Sequence, residues 1–209
     1  MNFKSIKNII FDLGNVIINI DFDLTFKAFQ KLTDKPLELV YQKFSELQLW
    51  ERYETGEISN SEFLAIVRNT LELKCSDNKI INAWNALLLD IPQQRIKLLE
   101  ELAVQYKLYF LSNTSDYHIE DVNRILSECS KYKDLKELVC HAYYSHEMQL
   151  RKPDPAIYNK VLELEGLNAN ETIFLDDNKD NVISAEKVGI KSFLVTPEND
   201  INNLLAKAL

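Results

Sequence analysis

The sequence predicts an α/β fold, a doubly wound parallel sheet with an all-helical cap inserted after its first strand. Three observations carry that prediction. A short β-rich run ends at a glycine near residue 14. A long stretch of helical periodicity with no strand signal follows, over residues 22–90. After Pro92 helical and strand-like segments alternate, and such alternation implies a parallel sheet with helices on both faces. At 209 residues the chain can bury a full core without disulfides or a structural metal.

Residues 6–13 (IKNIIFDL) open the sheet; Ile9, Ile10 and Phe11 read as a strand buried on both faces, with Asp12 at its carboxyl end. Phe22, Phe26, Phe29 and Leu32 then recur at helical spacing, and a second helix is expected over Leu37–Leu49. Ile58-Ser59-Asn60-Ser61-Glu62-Phe63 has the elements of a helix start: Ser59 to cap, Glu62 to reach back, and Ile58 to staple onto Phe63. A further helix from about Ser76 presents Ile80, Ile81, Trp84, Leu87 and Leu88. Beyond Pro92 come a helix over roughly 93–105, the strand Lys107–Leu111, a helix from about Asp116 and the strand Cys140–Tyr144. Asp154-Pro155 pairs a cap with proline at the first helical position. The strand Thr172–Leu175 leads to Asp176-Asp177, a helix ends at Gly189, and Ser192–Val195 is the last strand. The domains are therefore expected to be an α/β core of residues 1–18 and 91–209, and a helical cap of residues 19–90.

Composition narrows the function. Hydrophobic residues make up 46% and charged residues 27%, the balance of a globular protein. The net charge of −8 lacks the basic surface that phosphate-backbone binding needs, so no nucleic-acid partner is expected. Cys75, Cys129 and Cys140 are far apart and unpaired in spacing, which speaks against a disulfide framework or a zinc site. No apolar run approaches the roughly 20 residues that span a bilayer, and no signal peptide is visible. No membrane association and a cytoplasmic location are the resulting expectations, with a monomer or a homodimer left open.

The chemistry gathers at the strand ends. In an open parallel sheet, ligands bind outside the carboxyl ends of the strands. Four such ends carry or lead into polar residues: Asp12, then Ser112-Asn113, then Arg151-Lys152, then Asp176-Asp177. Carboxylates converging on one point repel unless a cation lies between them. Oxygen ligands without nearby His or Cys select Mg²⁺ over zinc. A lysine beside them can neutralise a phosphate, and a carboxylate can serve as nucleophile. Taken singly, each of these residues would read as a cap, a turn or a surface charge; four in order on four strand ends do not.

Phe11-Asp12-Leu13-Gly14-Asn15-Val16, Leu111-Ser112-Asn113-Thr114, Arg151-Lys152-Pro153-Asp154 and Phe174-Leu175-Asp176-Asp177-Asn178 resemble, in order, the four motifs of the haloacid dehalogenase superfamily. The likeness covers nearly the whole chain and implies a Rossmann-like core with a helical cap. Asp-Leu-Gly-Asn-Val, with Tyr53–Ser59 in the cap, most resembles bacterial sugar-phosphate phosphatases acting on glucose 1-phosphate. The resemblance implies a Mg²⁺-dependent phosphatase acting on a small phosphorylated metabolite. It makes Asp12 nucleophile and metal ligand, and gives the Gly14 carbonyl to the metal. Ser112 and the Asn113 backbone would hold phosphate oxygens, and Lys152 would bridge nucleophile and phosphate. Asp177 would ligate the metal directly and Asp176 indirectly or through water, with Asn181 helping to orient Asp176.

One position departs from the superfamily pattern. Its phosphatases usually carry a second Asp two residues after the nucleophile, and here that place is Gly14, which cannot transfer a proton. General acid–base help is typically worth about 10²–10⁴-fold. The expectation is a fairly good leaving group, such as an anomeric phosphate, or a proton carried by water or substrate. Gly14 also supports an alternative, a degenerate member that binds a phosphorylated ligand or protein partner without turnover. Dehalogenation needs no metal and leaves Asp176-Asp177 unexplained; phosphonate cleavage would want a cap lysine such as Lys27, Lys31 or Lys43. Tyr53, Glu54 and Glu57 are candidates to meet substrate, whereas Trp50 and Trp84 read as cap core. His118, His141 and His146 read as ordinary helix or surface histidines, and Asp23 as a helix cap near the cap hinge, with a substrate contact from Asp21 unsupported.

Overall fold

A computed structural model describes residues 5–206. Five parallel strands form one sheet: β1 (Asn8–Phe11), β2 (Lys107–Ser112), β3 (His141–Tyr144), β4 (Thr172–Asp176) and β5 (Lys191–Leu194), in the order β3-β2-β1-β4-β5. After β1 the chain builds outward through β2 and β3, then crosses back to lay β4 on the other side of β1. That reversal opens a crevice at the carboxyl end of β1. The register sets Phe11 opposite both Phe110 and Leu175, so the polar residues that follow these strands converge at one rim.

The inner residues of the three central strands β1, β2 and β4 are apolar because both faces are covered. Ile9, Phe11, Phe110 and Leu175 face one hydrophobic cluster. Helices α6 (Gln93–Leu102), α7 (Asp116–Cys129) and α11 (Ile201–Leu205) fill it through residues such as Leu99, Leu126 and Leu205. Ile10, Tyr109, Leu111 and Phe174 face the other, against α9 (Pro155–Glu165) and α10 (Lys179–Lys187). A short α8 (Ser145–Met148) follows β3. The Asp154 side chain accepts from the Ala156 N–H, with Pro155 opening α9, so this helix begins as its sequence signature predicts.

Between β1 and β2 lie α1 (Phe22–Gln30), α2 (Leu37–Glu46), α3 (Leu49–Glu54), α4 (Asn60–Leu71) and α5 (Asp77–Trp84). They share a third cluster drawn entirely from residues 29–84. Trp84 lies at its centre and meets the rings of Phe63, Trp50 and Tyr53 at 4.7, 4.3 and 5.6 Å. Truncating so central an aromatic to alanine costs about 3–5 kcal/mol. Ser59 and Glu62 form the reciprocal capping box that starts α4. The two linkers run side by side where Ile20 bridges Leu88, with Asn19 and Asp90 bonded through backbone and side chains.

Several details differ from the sequence expectation. The helix expected over Leu37–Leu49 ends at Glu46, because Gln48 takes a left-handed conformation (φ 45°) and turns the chain into α3. α6 stops at Leu102 and β5 begins at Lys191, each a small shift of boundary. Asp21, not Asp23, caps α1, accepting from the Asp23 N–H at 3.0 Å. His118 is buried: its ring lies flat on Trp84, with centroids 4.6 Å apart and planes 3° from parallel. Burial pushes its pKa down to about 4. Among the described residues no helix is long and apolar enough to cross a membrane.

Candidate active site

At the carboxyl end of β1, Asp12 stays in line with the sheet through its N–H, which donates to the Leu175 carbonyl at 2.9 Å. Asp176 ends the neighbouring β4. Their adjacency follows from the register, although 164 residues separate them in the chain. Lys152 enters between them from the loop after α8, and its side chain is only 1% exposed. Its ammonium donates to Asp12 Oδ1 at 2.7 Å and to Asp176 Oδ2 at 2.6 Å. Burial alone would lower the lysine pKa, but Asp12 and Asp176 outweigh it and hold Lys152 above its ordinary value.

Asp176 is saturated. Oδ1 accepts from the Asn178 N–H at 2.8 Å, Asn181 Nδ2 reaches both carboxylate oxygens at 3.0 Å, and Lys152 takes the rest. Asp177 accepts from Asn15 Nδ2 at 3.0 Å through Oδ2. Ligand oxygens of Asp12, Asp176 and Asp177 all lie within 4.8 Å of one another. Burial pushes Asp12 up to about 7; Lys152 opposes that, and Asp176 and Asp177 add to it. Asp177 is likewise raised, first by burial. One lysine therefore does not satisfy three converging carboxylates, and a hard divalent cation would. The donor set is all oxygen, with the Gly14 carbonyl on the same loop, and it fits Mg²⁺.

Ser112 ends β2 and is buried; among the described residues its hydroxyl makes one bond, a long 3.5 Å donation to the Asn113 carbonyl. Asn113 exchanges two bonds with the Lys152 backbone: Nδ2 donates to its carbonyl at 2.8 Å, and Oδ1 accepts from its N–H at 2.9 Å. The Asn113 side chain therefore locks the lysine loop to the end of β2.

Gly14 sits where no side chain fits without movement, because a Cβ there would lie 2.7 Å from Ile20 Cδ1. Asn15, which the first motif includes without giving it a role, holds a left-handed backbone (φ 53°), a conformation Asn tolerates. Its amide binds both Asp177 and the Ile20 N–H, at 3.0 and 3.1 Å, so one side chain ties the Asp177 carboxylate to the linker entering the helical insertion.

These residues open into a cleft of about 560 Å³ between the sheet rim and the insertion. Phe22, Phe26, Tyr41 and Trp50 wall its far side, and Glu51, Glu54 and Arg151 line it as well. Glu54 is buried. It accepts from Trp50 Nε1 and from the Arg151 guanidinium, both at 2.9 Å, and burial raises its pKa against the pull of Arg151. Of the insertion residues expected to meet substrate, Glu54 lines the cleft. Tyr53 is instead core, stacked on Phe63 and bonded to Asn60 at 2.6 Å, and Glu57 pairs with Arg52 at 2.7 Å. Trp50 belongs to the cleft wall as well as to the packing. Lys27, Lys31 and Lys43 do not line the cleft. His146 bonds the Thr114 carbonyl and Asp116, and His141 stacks on Tyr143.

The sequence profile of haloacid dehalogenase-like hydrolases matches residues 9–195. The chain is 26% identical to a D-ribitol-5-phosphate phosphatase of Bacteroides thetaiotaomicron, over 93% of each chain. It is 28% identical to a phosphatase of Mycobacterium tuberculosis, over 91% of this chain and 88% of that one. A crystal structure of a haloacid dehalogenase family enzyme from B. thetaiotaomicron, in complex with magnesium and inorganic phosphate, superimposes with a TM-score of 0.88. It shares 32% identity, with 95% of this chain and 98% of that one covered.

Proposed function

The chain belongs to the haloacid dehalogenase-like hydrolase family, and we propose that it is a Mg²⁺-dependent phosphatase that releases phosphate from a small sugar or sugar-alcohol phosphate through an aspartyl-phosphate on Asp12. The observation that carries this reading is the Lys152 ammonium held between Asp12 and Asp176, with Asp177 beside them. Within this reading residues 1–18 and 91–209 are the catalytic core and residues 19–90 the cap that shelters the substrate.

In this reading Asp12, Asp177 and the Gly14 carbonyl hold the metal, and Asp176 positions Lys152 and the loop through Asn178 and Asn181. Bound magnesium supplies positive charge against the phosphate and the carboxylates. A carboxylate oxygen of Asp12 attacks phosphorus in line, the bond from phosphorus to the ester oxygen breaks, and that oxygen leaves with a proton. Lys152, Ser112 Oγ and the Asn113 N–H neutralise and orient the phosphoryl oxygens. Water then attacks phosphorus, phosphate departs, and the Asp12 carboxylate is restored.

Gly14 and Ile20 leave no acid at the usual place, so the leaving oxygen takes its proton from water or from a substrate hydroxyl. An anomeric phosphate would ease that step. D-ribitol 5-phosphate, the substrate named for the relative, is a primary alkyl ester with a poorer leaving group. Sharing it would favour proton supply by water or substrate over the good-leaving-group expectation.

The degenerate-binder alternative is not favoured, because Asp12, Lys152, Asp176 and Asp177 stand together in bonding geometry. A Schiff-base phosphonate route lacks its lysine at the cleft. The test is hydrolysis of a panel of small phosphoesters, with and without Mg²⁺, by wild type and Asp12→Asn. Phosphate release that needs both metal and Asp12 supports the reading; equal inactivity of both proteins across the panel overturns it.

A further inference from the structure

We propose that Glu51 is a specificity-determining residue, which reserves the cleft for phosphates whose organic part is uncharged and turns away substrates carrying a second anion. The proposal rests on the phosphatase reading above and names what that site accepts.

The cations lining the cleft, among the described residues, are Arg151 and Lys152. The charge of each is already offset by a carboxylate, although Arg151 Nε is buried without a partner. Lys152 is committed to Asp12 and Asp176 and, in turnover, to the reacting phosphate. Arg151 is bound to the buried Glu54 carboxylate at 2.9 Å. Glu54 belongs to α3, so the pair joins the helical insertion to the sheet rim. Enzymes that take substrates with two anionic ends place an unpaired arginine or lysine for the second end; the wall of this cleft instead carries a carboxylate without a counter-ion.

That carboxylate is Glu51. It lies one turn before Glu54 on α3, so both project to the same side of the helix. Glu51 is exposed, lines the cleft, and its side chain has no hydrogen-bond or ion-pair partner among the described residues. Its charge therefore faces whatever enters. Its neighbours on the wall are aromatic: Trp50 beside it, Phe22 packed edge-on to Trp50 at 5.3 Å, and Phe26 stacked on Tyr41 at 4.0 Å. Phe22 is 49% exposed although it is a large apolar ring, so its face is presented to the cleft. Such a wall suits the C–H face of a sugar or polyol chain and offers nothing to an anion. A carboxylate or second phosphate brought beside Glu51 meets like-charge repulsion in a partly desolvated cleft, worth on the order of tenfold in relative rate or affinity.

The experiment compares a matched pair of esters, D-ribitol 5-phosphate and D-ribonate 5-phosphate, which differ by a carboxylate at the far end. The readout is the ratio of their kcat/KM values in wild type, Glu51→Gln and Glu51→Lys, with Mg²⁺ present. Wild type is expected to favour the neutral ester by on the order of tenfold or more. Glu51→Gln is expected to remove most of that preference and Glu51→Lys to reverse it. A merely structural role for Glu51 would lower both rates alike and leave the ratio unmoved, which overturns the proposal, as does a wild type that takes both esters equally. If wild type turns over neither ester, the wider phosphoester panel decides the phosphatase reading, and calorimetric binding of the same pair decides the charge rule. Preferential binding of the neutral ester that is lost in Glu51→Lys sustains the rule, and equal binding overturns it.

Discussion

Replacing Lys152 by methionine tests whether the buried lysine is what lets two carboxylates share one site. Methionine keeps most of the volume and removes the charge. In wild type the ammonium lies 2.7 Å from Asp12 and 2.6 Å from Asp176, and these carboxylates are 11% and 0% exposed. Without it, two carboxylates remain close together, away from water and without a cation. Removing one partner of such a buried network costs about 3–5 kcal/mol. For a chain of this size that lowers the metal-free melting temperature by on the order of 10 °C. The penalty has a defined pH dependence. Burial already raises Asp12 to about 7 and Lys152 opposes that rise, so without the lysine Asp12 titrates higher still, and stability present at low pH is lost as pH rises through its folded value. The gap between variant and wild type is therefore widest near about pH 8 and narrows toward about pH 5. Mg²⁺ narrows it too, by replacing the missing positive charge. Thermal melts of both proteins, with and without Mg²⁺ at the two pH values, measure all of this. A metal-free variant melting within about 2 °C of wild type near pH 8 would refute the reasoning.

Three further outcomes follow from local geometry. Gly14→Ala should cost about 1 kcal/mol or less, because its Cβ would lie 2.7 Å from Ile20 Cδ1, the free end of a half-buried side chain that can rotate away; a loss in chemical denaturation well above about 2 kcal/mol would show that Ile20 cannot yield. Asn15→Gly keeps the left-handed backbone accessible but deletes the bond to Asp177, so Mg²⁺ affinity should weaken by about 10–100-fold with the fold intact; a metal titration giving unchanged affinity would show that Asn15 does not position the ligand. His118, whose pKa burial pushes down to about 4, stabilises the protein while neutral. Its contribution is complete above the unfolded value near 6.5 and declines as pH falls toward the folded value. His118→Phe, which keeps the ring on Trp84, should therefore lose about 2 kcal/mol less stability than wild type between about pH 7 and pH 5; identical slopes would contradict this.

The parts of this protein readable from sequence are those that depend on local periodicity or on strand ends. Ile9-Ile10-Phe11 reads as a doubly buried strand because both faces of the sheet are covered. Asp12, Ser112, Lys152 and Asp176 could be placed together because parallel strands share one carboxyl rim. What escaped the reading depends on contacts between distant segments or on single backbone angles. Gln48 breaks a helix with neither glycine nor proline to announce it. Asn15 acts through one left-handed residue and a side chain that reaches Asp177. The Glu54–Arg151 pair joins residues 97 apart in the chain, and no local pattern encodes it. His118 did carry a signal: it shares an i, i+4, i+8 stripe with the buried Val122 and Leu126, which marks an inward-facing position.

The central claim is that Asp12 carries the phosphoryl group, and rapid acid quench tests it most directly. Wild type would be mixed with Mg²⁺ and a radiolabelled phosphoester identified by the substrate panel, quenched within a turnover, and assayed for label on the protein. The account predicts protein-bound label that hydroxylamine releases, maps to the peptide containing Asp12, and is absent from Asp12→Asn. Steady turnover with no protein-bound label at any quench time, or label that persists in Asp12→Asn, would contradict it.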